Sequence, residues 1–152
     1  MSSEEEVKKS IQKDLGGMIV PLVSGIFIEG NKVLLLKRRP ESKYAPNAWQ
    51  FPEGKMKFGE TPIETLKREV DEELNASFSK PELFDVSTGM IEVKGVKMHI
   101  IRIAYTASLN GKNLKLSEEN TEYKWVDLED ARKMDLVMGA LEMIEKIILN
   151  KD

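Results

Sequence analysis

The stretch Thr61-Pro62-Ile63-Glu64-Thr65-Leu66-Lys67-Arg68-Glu69-Val70-Asp71-Glu72-Glu73-Leu74 reads as one helix whose charges work against it. Thr61 stands at the N-cap, Pro62 in the first turn, and Glu64 completes a T-x-x-E capping box. Ile63, Leu66, Val70 and Leu74 form an apolar stripe. Beside that stripe, Glu69, Glu72 and Glu73 recur at i, i+3 and i+4 and share one face. Each such like-charge pair costs roughly 0.2–0.5 kcal/mol. The last turn of a helix is already negative, so the macrodipole adds to the cost. A hard divalent cation reverses the sign of both effects, because Mg²⁺ and Mn²⁺ take carboxylate oxygens. The helix therefore predicts one side packed on a sheet and an adjacent side facing a metal-binding cleft. Asn75 follows at the position where a left-handed residue closes a helix.

Outward from this helix the chain alternates strands and loops. Met18 to Ile28 and Lys32 to Lys37 read as a hairpin turned at Gly30-Asn31. Residues 38–48 carry Pro40, Pro46 and Asn47 and read as a loop. Trp49-Gln50-Phe51 before Pro52 is extended. Phe84 to Met90, Met98 to Ala107 and Tyr123 to Val126 read as strands, with a polar loop from Leu109 to Asn120. Asp127 to Met134 and Val137 to Leu149 read as helices. This order predicts an α/β fold: a mixed β-sheet with helices on both faces. Residues 1–17 are expected to be an extension, with a surface helix over Glu4 to Leu15, and residues 18–152 the functional domain.

Composition narrows the chemistry. At 152 residues the chain has a one-domain length. Its net charge of −3 gives no support for bulk nucleic-acid binding through a basic face. With no cysteine, disulfides, zinc thiolate sites and thiol catalysis are excluded. The single histidine, His99, leaves little room for a Ser-His-Asp triad and reads as structural. No apolar run approaches the roughly 18 residues of a membrane span. Residues Ser2 to Gln12 lack the apolar core of a secretion signal, so a cytoplasmic protein without membrane association is expected, as a monomer or homodimer.

The run from Gly54 through Glu60 to Arg68-Glu69-Val70-Asp71-Glu72-Glu73-Leu74-Asn75-Ala76 resembles the Nudix box, G-x5-E-x7-R-E-U-x-E-E-x-G-U with U aliphatic. Gly54, Glu60, Arg68, Glu69, Val70, Glu72 and Glu73 match at the right spacing; Asn75 stands in place of glycine. The likeness extends over roughly residues 18 to 149, through Trp49-Gln50-Phe51-Pro52 and Glu119 to Val126. It implies a Nudix-type α/β/α sandwich and a MutT-like pyrophosphohydrolase. Glu69, Glu72 and Glu73, with the Gly54 carbonyl, would bind Mg²⁺, with Mn²⁺ as a substitute. Arg68 and Glu60 would orient them, and a guanidinium beside crowded carboxylates keeps them ionised. A nucleoside polyphosphate would be the substrate, a triphosphate in the MutT branch, yielding a nucleoside monophosphate and pyrophosphate.

The general base stays open at this stage. The resemblance favours Glu119, as base and additional ligand; Glu118 and Glu122 are alternatives, and in other members a box glutamate, here Glu69, takes the role. Arg39, Arg38 and Lys55 are the candidate phosphate contacts, against the plainer reading of charged strand ends. Trp49 reads as a core wedge in preference to a base-stacking ring, with Tyr44 and Phe27 as weaker stacking candidates. Trp125 reads as core, and Met134, Met138 and Met143 as packing. Glu53 departs from the Gly-Gly of MutT-like sequences. That departure keeps hydrolysis of a dinucleoside polyphosphate, a capped RNA end or a nucleoside-diphosphate sugar as the runner-up, ahead of a non-catalytic nucleotide-binding module. The proline and tyrosine that mark ADP-ribose and dinucleoside polyphosphate branches are missing from Ile91-Glu92-Val93-Lys94.

Overall fold

The computed structural model describes residues 3–111 and 113–151. Its elements in chain order are α1 (Glu4–Leu15), β1 (Met18–Glu29), β2 (Lys32–Arg38), β3 (Trp49–Gln50), β4 (Glu53–Lys55), α2 (Pro62–Leu74), β5 (Ser77–Val93), β6 (Val96–Asn110), β7 (Asn120–Asp127), α3 (Leu128–Ala131) and α4 (Ala140–Leu149). The strands form one mixed sheet. Its main path is β3-β2-β1-β6-β5, with β7 on β2 and β4 on β1. Of the strand pairings among the described residues, β1 with β6 alone is parallel, from Met18 opposite Met98 to Phe27 opposite Ala107. The other pairings are antiparallel.

Strand alternation divides the core in two. Val33 and Leu35 pack with Ile26, Leu128, Met143, Ile144 and Ile147 on the α3–α4 side. Leu34 and Leu36 pack with Val23, Phe27, Leu66, Val70 and Leu74 on the α2 side. The continuous apolar run of β2 is explained by this double coverage, since a strand buried on both faces has no polar alternation. Helices thus cover both faces, as the pattern of the sequence predicts.

The hairpin strands β1 and β2 pair only beside their turn, at Ile28–Val33 and Glu29–Lys32. Beyond that point they diverge. The 49–55 segment crosses the gap: β3 continues the β2 side, and β4 pairs with β1 from Leu22–Lys55 to Ser24–Glu53. The splayed strands open a cleft of about 740 Å³.

Several boundaries move. The strand read at Phe84 to Met90 extends over Ser77–Val93. Pro81 and the positive φ of Lys80 sit in an edge strand whose register shifts between Ser79 and Glu82, where a missing donor is tolerated. The helix read at Asp127 to Met134 shrinks to Leu128–Ala131, and the last helix begins at Ala140. Tertiary hydrogen bonds compete successfully there: Trp49 N–H donates to the Asp135 carbonyl (2.8 Å), and Val137 N–H donates to the Trp49 carbonyl (3.0 Å). Phe27 is fully buried beside Phe78 and is not available for stacking. Trp49 is core, as expected, with Lys37 and Lys124 over its ring. Trp125 is half-buried against the α2-side core. His99 lies on β6 between Ile19 and Met90, away from the cleft lining. The helix α1 has no buried residue.

Candidate active site

The helix α2 begins and ends as its sequence dictates. Thr61 accepts from Glu64 N–H (3.3 Å), and Glu64 accepts from Thr61 N–H (3.1 Å), so the capping box is complete. Asn75 closes it in the left-handed conformation (φ 52°). Leu66, Val70 and Leu74 are fully buried, which fixes the rotation of the helix. Its three glutamates then meet three environments: Glu72 is exposed, Glu69 half-buried and Glu73 only 2% exposed.

Gly54 on β4 lies directly against Glu69. A Cβ at position 54 would overlap the Glu69 carboxylate, so the close approach requires glycine. Arg68 is the hub of the acidic face. Its Nε and Nη2 donate to Glu60 (2.7 and 3.0 Å), its Nη1 to Glu69 (2.7 Å) and Glu72 (3.3 Å), and its Nη2 also to the Lys55 carbonyl. Glu60 additionally accepts from Lys57 N–H and Thr65 Oγ1–H. The Arg68 guanidinium, helped by these donors, holds the Glu60 carboxyl down at about 2. Glu60 in return holds the Arg68 guanidinium protonated.

Glu69 and Glu73 go the other way. Burial raises Glu69 against the pull of Arg68. Burial raises Glu73 well above the ordinary carboxylate value, and the negative charges of Glu69, Glu53 and Glu119 add to it. Neither Glu73 carboxylate oxygen has a hydrogen-bond partner among the described residues. A buried carboxylate in this condition needs a proton or a cation. Among the described residues no three acidic or histidine side chains stand gathered as a preformed cation cage, because Arg68 holds Glu69 and Glu72 instead. The donor set nonetheless suits a hard divalent ion: orphaned Glu73 oxygens, Glu69 against a bare glycine backbone, and Glu72 at the rim.

The loop before β7 brings Glu119 to this face. Lys115 N–H donates to the Leu74 carbonyl (3.0 Å) and Ser117 N–H to the Glu73 carbonyl (3.2 Å), satisfying the helix end. Arg39 N–H donates to the Glu119 carbonyl (3.1 Å). Glu119 lines the cleft with Glu69 and Glu72, whereas Glu118 and Glu122 do not. Glu122 pairs with Lys124 (3.6 Å). Of the three candidate cations, Arg39 and Lys55 line the cleft with side chains that bond to no described residue. The Arg38 guanidinium is committed, donating to the Tyr44 carbonyl (2.9 Å) and Gln50 Oε1 (2.6 Å) and stacking on Tyr44. It braces the 39–48 loop.

The floor of the cleft holds a constellation that sequence reading misses. Arg102 and Glu53 form a buried ion pair (3.3 Å), their side chains 4% and 8% exposed. Arg102 Nε also donates to Ser24 Oγ (3.2 Å) and Nη1 to the Met138 carbonyl (2.7 Å), while Ser24 Oγ–H donates to Glu53 Oε1 (2.9 Å). Met138 N–H in turn donates to Tyr44 Oη (3.2 Å), so Met138 lines the cleft and is more than packing. Glu53 and Arg102 are 49 residues apart. The local signals were Glu53 in place of a glycine and an arginine inside the apolar run Ile100-Ile101-Arg102-Ile103.

Comparison with known proteins agrees with this geometry. The family model described as NUDIX domain matches residues 19–147. An 8-oxo-dGTP diphosphatase of Buchnera aphidicola subsp. Schizaphis graminum is 32% identical over 111 residues, 73% of this chain and 79% of the relative. An RNA pyrophosphohydrolase of Psychrobacter cryohalolentis is 31% identical over 81 residues, 51% of this chain; that match spans about half of the relative (47%). The crystal structure of a MutT protein from Methanosarcina mazei Go1 superposes with a TM-score of 0.75 at 28% identity, covering 90% of this chain and 98% of the other. No described helix is long and apolar enough to cross a membrane. With the family model spanning the whole sheet and α2, this chain belongs to the NUDIX family and is a MutT-like hydrolase.

Proposed function

We propose that the protein is a Mg²⁺-dependent pyrophosphohydrolase of a nucleoside triphosphate, releasing a nucleoside monophosphate and pyrophosphate, with Mn²⁺ as a working substitute. The observation that carries this reading is the buried, unpartnered carboxylate of Glu73 beneath Glu69, Glu72 and the bare backbone of Gly54. Glu69, Glu72, Glu73 and Glu119, with the Gly54 carbonyl, would hold the divalent ion. When bound, the ion lowers the pKa of a water and offsets charge on the phosphates. The chain's own residues do the rest. Arg68 keeps Glu69 and Glu72 turned to the cleft, and Glu60 keeps Arg68 in place. Arg39 and Lys55 offer donors to phosphate oxygens at the same end of the cleft. Glu119 is the general base in this reading: it is exposed on the cleft wall, in a loop tied by backbone bonds to α2 and to Arg39.

The resemblance to RNA pyrophosphohydrolases supports a second reading, in which the same attack removes pyrophosphate from the 5′-triphosphate end of an RNA. The two share their chemistry and differ in what lies beyond the first nucleoside. A product panel with Mg²⁺ and Mn²⁺ tests both. It covers the common and oxidised nucleoside triphosphates, a 5′-triphosphorylated oligoribonucleotide, ADP-ribose, nucleotide sugars and dinucleoside polyphosphates. Pyrophosphate from free triphosphates is the expected result. Turnover of the oligonucleotide alone would move the protein to the second reading, and turnover of a bridged diphosphate alone would reject both.

A further inference from the structure

One lip of the cleft is a loop that hangs from a single residue. Residues 39–48 join β2 to β3, and Arg39, Glu41, Ser42, Lys43 and Tyr44 line the cleft. The loop is secured at its two ends. Arg38 N–H donates to the Ala48 carbonyl (2.9 Å), and Arg39 N–H to the Glu119 carbonyl (3.1 Å). Between them, Ser42 N–H and Ala48 N–H turn back on the loop's own carbonyls, those of Arg39 and Ala45. Among the described residues, every hydrogen bond that ties residues 40–47 to the rest of the molecule ends on Tyr44. Arg38 Nε donates to the Tyr44 carbonyl (2.9 Å), and Met138 N–H donates to its Oη (3.2 Å).

The seat of Tyr44 is rigid. Arg38 is also bound to Gln50 Oε1 (2.6 Å) and lies over the Tyr44 ring, 5.6 Å from its centre. Tyr44, a weaker stacking candidate by sequence, thus spends its ring on Arg38. Met138 is fixed from its other side, where its carbonyl accepts from Nη1 of the buried Arg102 (2.7 Å). Gly139 makes room for that guanidinium, since a Cβ there would overlap Nη1. The loop, in contrast, holds strained backbone. Ala45, the neighbour of Tyr44, has φ 42°, and Asn47 has φ 65°. A left-handed alanine is unfavourable and persists where its surroundings hold it. Freeing Tyr44 removes what holds Ala45 there, and the lip can then relax away from the cleft.

We propose that Tyr44 is the positioning residue of this lip: latched to Met138 and Arg38, it holds Arg39 and Lys43 in place for a polyphosphate. Both cations are exposed and belong to the cleft lining. Long charged side chains lose freedom when they bind an anion, so a lip fixed beforehand lowers that cost. Tyr44 acts through the cations and not on the ligand. Its loss is therefore felt in binding, and only while Arg39 is present. The proposal rests on the reading of Arg39 as a phosphate contact, but it does not require turnover.

The test is a double-mutant cycle of Y44F and R39A on the full chain, read as affinity for inorganic tripolyphosphate with Mg²⁺ by calorimetry. Tripolyphosphate carries the charge without a base or a sugar. Y44F alone is expected to weaken binding about three- to ten-fold, the size of one hydrogen bond. With R39A already in place, Y44F is expected to add less than about two-fold, because residues that act through one another are not additive. KM for a nucleoside triphosphate rises by the same factor with kcat unchanged, the signature of lost uniform binding. Amide exchange at Ser42 is faster in Y44F, as release of the loop requires. Should Y44F fail to fold, R38K frees the Tyr44 carbonyl instead and is expected to give the same result. An affinity unchanged in the variant that folds, or a loss equal with and without Arg39, would overturn the proposal. Weaker binding through Arg39 without triphosphate turnover would keep it and reject the hydrolytic reading.

Discussion

Two arginine–carboxylate clusters face the same cleft and are built on opposite terms. Arg68 gathers Glu60, Glu69 and Glu72 from within eight residues of chain, and its side chain stays 20% exposed. Arg102 meets Glu53 across 49 residues and is almost fully enclosed. In the first cluster the charges outnumber their partner, and Glu73 lies below them with no partner at all. In the second, one cation meets one anion, with Ser24 and the Met138 carbonyl taking the remaining bonds. The first is underneutralised, which suits a site that receives a cation. The second is closed on itself, which suits a rigid fixture. Changing residues in each should therefore damage different properties.

The largest effect is expected from Glu72→Gln. Glu72 is exposed, and only a 3.3 Å contact to Arg68 holds it, so its removal should leave the melting temperature within a few degrees. Its loss from the ion-binding face should lower kcat about 10³-fold, as removal of one preorganised electrostatic group does. Steady-state kinetics beside a thermal melt separates the two quantities. Near-native turnover would show that the acidic face is not the reaction centre. Arg102→Leu should invert the pattern. It strands Glu53 in the floor and should cost about 3–5 kcal/mol of stability by denaturant unfolding. The E53L/R102M pair should recover most of that loss; a single-variant cost below about 1 kcal/mol would mean the pair is solvated and the contrast between the clusters false.

Glu119→Gln is the next step down. It touches neither arginine, so it should leave stability unchanged and lower kcat about 10²-fold, the lower range for loss of a general base. An unaltered rate would return the role to Glu69 or to Glu122, although Glu122 is bound to Lys124 and lies off the cleft.

The same contrast explains what was legible in the sequence. Everything in the α2 cluster is local: the capping box, the buried stripe, the left-handed Asn75 and the arginine hub all lie between residues 54 and 75. Helical periodicity places such residues without knowledge of the fold. Unbroken apolar runs around a Gly-Asn turn likewise marked β1 and β2, because strands buried on both faces carry no polar alternation. The floor was not legible, since Arg102, Ser24 and Glu53 are joined only by the parallel β1–β6 register and the β1–β4 pairing. The short α3 was misjudged for a related reason. Its helical pattern continued in sequence, but the Asp135 carbonyl and Val137 N–H were claimed by Trp49, which no local pattern announces. Arg38 reads the same as Arg39 in sequence. Only the backbone carbonyl of Tyr44 and the amide of Gln50 separate a brace from a free cation.

An exposed ion pair supplies the baseline against which both clusters are measured. Lys146 on α4 bonds Asp85 on β5, and the side chains are 50% and 24% exposed. Lys146 holds the Asp85 carboxyl below its ordinary value, helped by Val86 N–H. A carboxyl with a depressed folded-state pKa binds its proton less readily than in the unfolded chain. Its contribution is therefore present above the unfolded value, about 4, and is lost as pH falls through the lower folded value. Lys146→Met should remove that contribution, so the native and variant unfolding curves should differ near neutral pH and converge on acidification. The difference should stay below about 1 kcal/mol, since solvent screens the pair and two long side chains lose freedom to make it. A loss as large as that of Arg102→Leu would mean that α4 depends on this contact for docking to β5, and burial would then not be what sets the Glu53–Arg102 pair apart.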